Sequence, residues 1–355
     1  MAIEKAPFGV LEDGRKVSLY TLKGSDGFSL TVTDFGGKMV SLMAPDRQGN
    51  LEDVILGFDE LAPYLVRNPY FGTLVGRCAN RIRGAEFELN GKTYHLDANA
   101  YPHHLHGGWG GFDKKLWDSE VVSDHRGERL HLHLLSPDGD QGYPGNLSVD
   151  VYYTVDENNR VSLEYFASAD KDTLVNLTNH CYFNLNGHEG ATVLNHVVTL
   201  KADQITDLDE EKMVYGKLLP VEGTPFDFRM PHAVGERIHQ DDRLLQLTQG
   251  YDINYVLDRQ GNGLERVCQV TVPENGRRMT VYTTLPAMQL YTANYIRDDF
   301  VFTGKGGAAY DHPYCGMCLE TQYYPNSPHC SQFPSIVLRR GETYHSETIY
   351  HFDCD

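Results

Sequence analysis

Leu130–Leu134 reads LHLHL, and this strict alternation sets the architecture expected of the whole chain. Side chains on a strand point to opposite faces at each step, so the three leucines share one face while His131 and His133 share the other. That is a half-buried antiparallel strand, with one side on a core and the other toward water. The same period recurs in Phe28, Leu30 and Val32, in Val149, Val151 and Tyr153, and in Val161, Leu163 and Tyr165. Asn90-Gly91 lies between Phe87–Leu89 and Tyr94–Leu96 and predicts a tight hairpin. Turn clusters follow at Pro45-Asp46, Gly139-Asp140, Asp156–Asn159 and Glu274–Gly276. Helical signal is confined to one or two turns near Asp59–Leu65 and Ile238–Leu247. The reading is all-β: a large antiparallel β-sandwich of two packed sheets, with residues 1–355 forming a single domain.

The bulk numbers narrow the partners. Hydrophobic residues make up 41% and charged residues 23% of the 355, as in soluble globular proteins. A formal net charge of −18 opposes binding to phosphate backbones and anionic membranes, so neither nucleic acid nor membrane is an expected partner. The N-terminal MAIEKAPFGV lacks a basic segment followed by an apolar core, and no run reaches the ~18 apolar residues of a membrane span. Seven cysteines suit reduced thiols and a cytoplasmic location. The lone pair Cys315 and Cys318 lacks the second CxxC of a closed zinc site.

Two stretches could carry chemistry. Asn176–Gly187, NLTNHCYFNLNG, sets His180 in a polar and aromatic run that suits a strand end opening onto a cavity. Cys318–Pro328, CLETQYYPNSP, sets Glu320 in an otherwise apolar strand, where an acid is seldom buried unless paired or functional. Asp252 in GYDINYVL and Gln289 in AMQLY share that oddity. These residues suggest a scaffold that brings His180 and Glu320 to opposite sides of one small, neutral, hydroxyl-rich ligand. Gly76–Ile82, GRCANRI, offers Arg77, Asn80 and Arg81, either as donors for hydroxyls or as solvated charges in a turn. Tyr101–Lys114, YPHHLHGGWGGFDK, contains His103, His104, His106 and Trp109. Its histidines suit hydrogen bonds to a ligand with Trp109 as a stacking plate, or hydrogen bonds to backbone groups in a glycine loop. A His-x-His metal pair lacks a third ligand at metal-type spacing, so no metal is expected. Neither a phosphate loop, a GxSxG elbow nor a nucleotide fingerprint is present, which leaves general acid–base chemistry by a histidine and a carboxylate.

From about Gly14 to Phe352 the chain resembles the aldose 1-epimerases, the galactose mutarotases. The motifs that carry the resemblance are TDFGGKMVSLMAPDRQGNLEDVILGFD, NPYFGTLVGRCANRI, HLHGGWGGFDKKLW, DQGYPGNLSV, LTNHCYFNLNGH, PVEGTPFDF, GYDINYVL and LETQYYPNSP. The resemblance implies a galactose mutarotase-like β-supersandwich, no cofactor, and interconversion of the α and β anomers of a free aldose such as D-galactose or D-glucose. Carried over by motif, Glu320 is the base on the anomeric hydroxyl and His180 the acid at the ring oxygen. Asn80, Arg81, His106, Tyr182, Asp252 and Gln289 match the substrate-binding positions. A monomer or homodimer acting on a small free sugar is implied.

Some positions depart from the family pattern, and Cys181 and Cys315–Cys318 are local variants. Ile253 stands where histidine commonly follows the Asp of GYD, and Ala293 replaces the glycine of YTGN. Ile253 is expected to alter one face of the sugar pocket. Two other functions compete with the epimerase. A glycoside hydrolase usually needs two carboxylates at a defined separation, with Asp252 the second here, and leaves the His180 motif unexplained. A non-catalytic sugar-binding sandwich explains the aromatics and glycines but not the matched histidine and glutamate.

Overall fold

The computed structural model describes residues 3–66, 69–189, 192–296 and 302–354. Asn68, which opens the NPYFG motif, lies outside the described residues. The LHLHL stretch falls in the strand Gly127–Ser136, with Leu130, Leu132 and Leu134 buried and both histidines facing outward. This strand belongs to a nine-stranded antiparallel sheet. In spatial order the strands are Asp118–Asp124, Gly127–Ser136, Leu147–Val155, Arg160–Ala169, Thr343–Cys354, Arg277–Thr283, Glu265–Thr271, Val197–Leu200 and His232–Ala233.

A six-stranded antiparallel sheet carries the polar face that matters for function. Its order is Tyr182–Phe183, Met317–Gln322, Ala287–Tyr291, Asp252–Val256, Gln204–Leu208 and Val214–Pro220. Leu319, Leu290, Met288, Ile253 and Tyr255 join the main hydrophobic core, together with the inward residues of the nine-stranded sheet. The two sheets meet where Thr321 Oγ1 lies 2.6 Å from Thr348 Oγ1 and the Tyr350 hydroxyl donates to the Leu319 carbonyl at 3.2 Å. A five-stranded sheet over Ile3–Asp53 adds Tyr20, Leu22, Leu30, Val32 and Leu42 to the same core. The expected all-β sandwich is therefore the observed architecture.

The hairpin at Asn90-Gly91 forms between Glu86–Leu89 and Lys92–His95, with φ of 53° and 74° at the turn, as a type I′ turn requires. Helix is scarce, as expected; only the second half of the Ile238–Leu247 stretch is helical, and a further turn lies just before it. Val234–Arg237 forms one short helix, and Asp242 caps a second, Arg243–Thr248, by accepting from Leu244 N and Leu245 N. Near Asp59–Leu65 a single turn spans Ala62–Leu65. No helix among the described residues is long and apolar enough to cross a membrane.

Candidate active site

The period of two that builds the core also builds the site. On the six-stranded sheet, Asn254 lies directly opposite Gln289, and Gln289 directly opposite Glu320. Opposed residues share a face, so these three project together, away from the core face that holds Ile253, Leu290 and Leu319. Two residues along each strand, Asp252, Tyr291, Cys318 and Tyr182 form a parallel row on the same face. Several buried atoms here have no hydrogen-bond partner: Glu320 Oε2, Gln289 Oε1, Asn254 Nδ2, Gln322 Oε1 and Thr206 Oγ1. Unpaired polar atoms are costly to bury, and a row of them on one face marks a surface shaped for a polar ligand.

His180 reaches this face from a separate short strand. Thr178–His180 pairs with Thr73–Val75, and His180 Nε2 stands 3.6 Å from Glu320 Oε1. Both side chains are almost wholly buried, at 4% and 2% exposure. The pair lies side by side, which corrects the expectation that the two groups flank the ligand from opposite sides. Strand pairing sets this: His180 precedes Tyr182 by two residues, and Tyr182 pairs with Cys318, two residues before Glu320.

A cleft adjoins the pair. It contains about 310 Å³ of empty space, its open mouth included, and is lined by Asn80, Arg81, Thr206, Lys212, Asp252, Asn254 and Gln289 with Leu208, Val214 and Pro325. Asp252 is held by Gln289 Nε2 at 2.7 Å and by the Tyr295 hydroxyl at 3.2 Å. Asn80 and His106 lock reciprocally. The Asn80 amide donates to His106 Nδ1 at 3.2 Å, and the His106 amide donates to the Asn80 carbonyl at 3.1 Å. Both residues have positive φ, 62° and 49°. Gly107 permits this approach, because a Cβ there would fall 1.8 Å from the Gly76 carbonyl oxygen.

Burial governs the electrostatics. It pushes the Glu320 carboxyl well above its usual range; the Asp252 charge adds to this and the Arg81 guanidinium opposes it. Burial lowers the His180 imidazole to about 4 and holds His106 well below its ordinary value, with the neighbouring His180 contributing. A ligating atom from each of His106, His180 and Glu320 lies within 4.8 Å of the others, a donor set that resembles catalytic zinc sites. The His106 tautomer does not fit that role. Its Nδ1 accepts the Asn80 N–H, so its proton resides on Nε2, which then has no lone pair for a metal.

Of the expected site residues, His180, Glu320, Asn80, Arg81, His106, Asp252 and Gln289 converge here. Tyr182 is adjacent, but its hydroxyl donates to the Pro69 carbonyl at 2.8 Å and its ring packs on His180, with centroids 5.1 Å apart. Arg77 leaves both of its expected roles. Only 1% exposed, it donates to Ser136 Oγ, to Thr173 Oγ1 and to the carbonyls of Ser136, Pro137, Pro144 and Gly145, clamping the Ser136–Gly145 loop. His104 also turns away, bonded to the Asp97 carbonyl and the Tyr143 hydroxyl, because the extended segment ends at Leu105 and His106 adopts positive φ. Trp109 is 60% exposed. Ile253 is fully buried on the core face, so it does not form a wall of the cleft. Ala293 adopts φ 54°, which accounts for a glycine preference at that position.

Sequence reasoning missed Asn254, Thr206 and Tyr70. Stepping by two from Asp252 reaches Asn254. Tyr70 has φ 65°, stacks its ring 5.7 Å from His180 and packs it at a tilt 4.9 Å from His106, and no local pattern signals it.

Residues 18–351 match the family model for aldose 1-epimerase. The chain is 41% identical to galactose mutarotase of Mus musculus over 353 residues, covering 99% of each chain. It is 40% identical to the Homo sapiens galactose mutarotase, covering 99% of this chain and 98% of that one. Identity to the aldose 1-epimerase of Escherichia coli K12 is 34%, over 96% of each. Among solved structures, the galactose 1-epimerase of Lactobacillus acidophilus superposes with a TM-score of 0.86 at 26% identity, over 99% of both chains. The aldose epimerase homologue of C. elegans superposes with a TM-score of 0.84 at 28% identity, over 95% of this chain and 99% of that one. Full-length similarity of this kind means that the chain belongs to the aldose 1-epimerase family.

Proposed function

We propose that the chain interconverts the α and β anomers of free aldoses, D-galactose and D-glucose among them, with Glu320 as base and His180 as acid. The observation that carries this reading is the 3.6 Å between His180 Nε2 and Glu320 Oε1. In a pyranose, O1 and O5 are bonded to the same carbon, so a base on one and an acid on the other must stand only a few ångströms apart. Glycoside hydrolases instead separate their two carboxyl groups by ~5–9.5 Å to admit an aglycone or a water.

The steps balance without a cofactor. Glu320 removes the O1 proton as C1=O forms, and the C1–O5 electron pair leaves to O5, which takes the proton from His180 Nε2. The aldehyde rotates about C1–C2. O5 then attacks the other face of C1, returning its proton to His180 as Glu320 reprotonates O1. The pair holds one proton throughout and passes it between two arrangements. Burial disfavours the charged arrangement in the empty site. The positive charge of Arg81 and the hydroxyls of the bound sugar restore the carboxylate. Asp252, Gln289, Asn80, Arg81 and the Nε2–H of His106 hold the sugar hydroxyls. Tyr182 supports the His180 ring.

We further take residues 1–355 as one domain that acts as a monomer or homodimer. A cytoplasmic location suits its seven free cysteines. Two-dimensional exchange NMR on equilibrated D-galactose and D-glucose tests the function: cross-peaks between anomeric protons should strengthen with added protein. Unchanged exchange for every aldose, or release of reducing sugar from an aryl galactoside, defeats it.

A further inference from the structure

The imidazole of His180 has a second nitrogen that the acid–base steps never use. Nδ1 faces away from Glu320 and lies 3.4 Å from Cys318 Sγ. The thiol and the ring are both buried. Around the ring stand His106 at 5.2 Å, Tyr70 at 5.7 Å, Tyr182 at 5.1 Å and Tyr291 at 6.2 Å, centroid to centroid, with Glu320 at Nε2. None of these bonds Nδ1. The carbonyl of His180 itself also approaches the ring; it accepts the Gly72 amide at 3.0 Å, so it is a shared partner, and the thiol is the side chain at Nδ1.

We propose that Cys318 is a positioning residue for the reaction: its sulfur accepts a hydrogen bond from His180 Nδ1–H, fixes that tautomer, and keeps Nε2 free to carry the proton that shuttles to the ring oxygen. The inference rests on the role given to His180 above. Proton balance sets the tautomer, and the 3.4 Å contact supplies the acceptor. Nε2 is alternately protonated and bare, so the neutral ring must keep its proton on Nδ1, and a buried N–H needs a partner. In catalytic triads a carboxylate fills this place and stabilises the imidazolium. A thiol is a weak, neutral acceptor. Burial holds the Cys318 thiol well above its ordinary range, so it stays uncharged. The ring is thereby oriented without stabilisation of its charged form, and His180 remains a ready proton donor. Strand register makes the arrangement economical: Cys318 and Glu320 are two residues apart on Met317–Gln322, so one strand face holds the base and orients the acid.

The test combines Cys318→Ala and Cys318→Ser with two readouts: mutarotation kinetics on α-D-galactose and the imidazole 15N shifts of His180, assigned by their loss in His180→Asn. The wild type should show the Nδ1–H tautomer. Cys318→Ala should lower kcat about tenfold at nearly constant KM, the lower end of losses typical for orienting partners, and should mix the tautomers. Cys318→Ser restores an acceptor and should recover the tautomer and most of kcat. A wild-type Nε2–H tautomer overturns the proposal, and so does an alanine variant with unchanged kcat and tautomer. A serine variant as impaired as alanine also overturns it, because packing volume would then be the cause. Should the alanine variant not fold, the wild-type and serine tautomers still decide. An inactive wild type with the Nδ1–H···S bond intact would instead fail the functional reading alone.

Discussion

Two groups of histidines lie on two sheets of this molecule, and their surroundings give them opposite properties. On the outer face of the nine-stranded sheet, His131 Nδ1 bonds Glu120 at 2.9 Å and its Nε2 bonds Asp150 at 2.7 Å, while His133 Nδ1 also reaches Asp150 at 3.0 Å. With carboxylates at both nitrogens, His131 is held above its ordinary pKa. Against the six-stranded sheet, His180 meets a carboxyl at one nitrogen and a thiol at the other, and burial lowers it to about 4. Accessible carboxylates make the first an ion-pair brace for neighbouring strands. The second is buried beside a carboxyl that burial also tends to neutralise, so its proton moves readily. Residue type does not set these properties; the partners of both ring nitrogens do.

The largest effect should come from breaking the buried pair. Glu320→Gln and His180→Asn should each lower kcat about 10²–10⁴-fold. His131→Ala should leave kcat unchanged in the same assay. Glu320→Gln should also raise Tm by a few degrees at pH 7. The folded carboxyl titrates above its unfolded value of 4.5, so ionisation destabilises the native state increasingly above pH 4.5, and the glutamine avoids this. Lower Tm at pH 7 and equal Tm below pH 4 would reverse and remove that sign, respectively, and only the second is expected.

Next in size is the contrast between Arg77 and Arg81, four residues apart in one motif. Arg77→Met should cost about 3 kcal/mol in urea unfolding, because several buried carbonyls lose a charged donor. Arg81→Met should raise KM about tenfold with near-normal stability. Exchange of these two outcomes would mean that the clamp and the ligand-facing arginine have been assigned the wrong way round.

The rate should depend on pH as a one-proton pair requires. Activity falls below about pH 4 as His180 and Glu320 both become protonated, and falls again at high pH, above the ordinary carboxyl range, as the shared proton is lost. An acid limb near the ordinary imidazole value would contradict the buried pair. The smallest effect is expected on the outer face. His131→Ala should cost about 0.5 kcal/mol. Since the folded imidazole titrates above its unfolded value of 6.5, that stabilisation is fully present below pH 6.5 and is lost as pH rises through the folded pKa.

Much of the architecture was legible because long strands display their period. LHLHL needs only alternation to place its leucines inside and its histidines outside. Glu320 and Asp252 were legible as acids in apolar strands for the same reason. The rest of the site stands on pieces too short to show a period: Thr178–His180, Thr73–Val75 and His104–Leu105. Composition could not tell Arg77 from Arg81, because which arginine meets six acceptors and which faces a cleft depends on loops Ser136–Gly145, far along the chain. Ile253 illustrates the other limit. A substitution beside a site residue suggests an altered pocket, yet one step along a strand is the opposite face.

On the proposed reading, one proton shared by His180 and Glu320 opens and closes the sugar ring. Polarimetry on freshly dissolved α-D-galactose, with no protein, wild type and Glu320→Gln, tests it most directly. The wild type should hasten the decay to the same final rotation, and the variant should follow the blank. A wild type that follows the blank, or a variant as fast as the wild type, would contradict the claim.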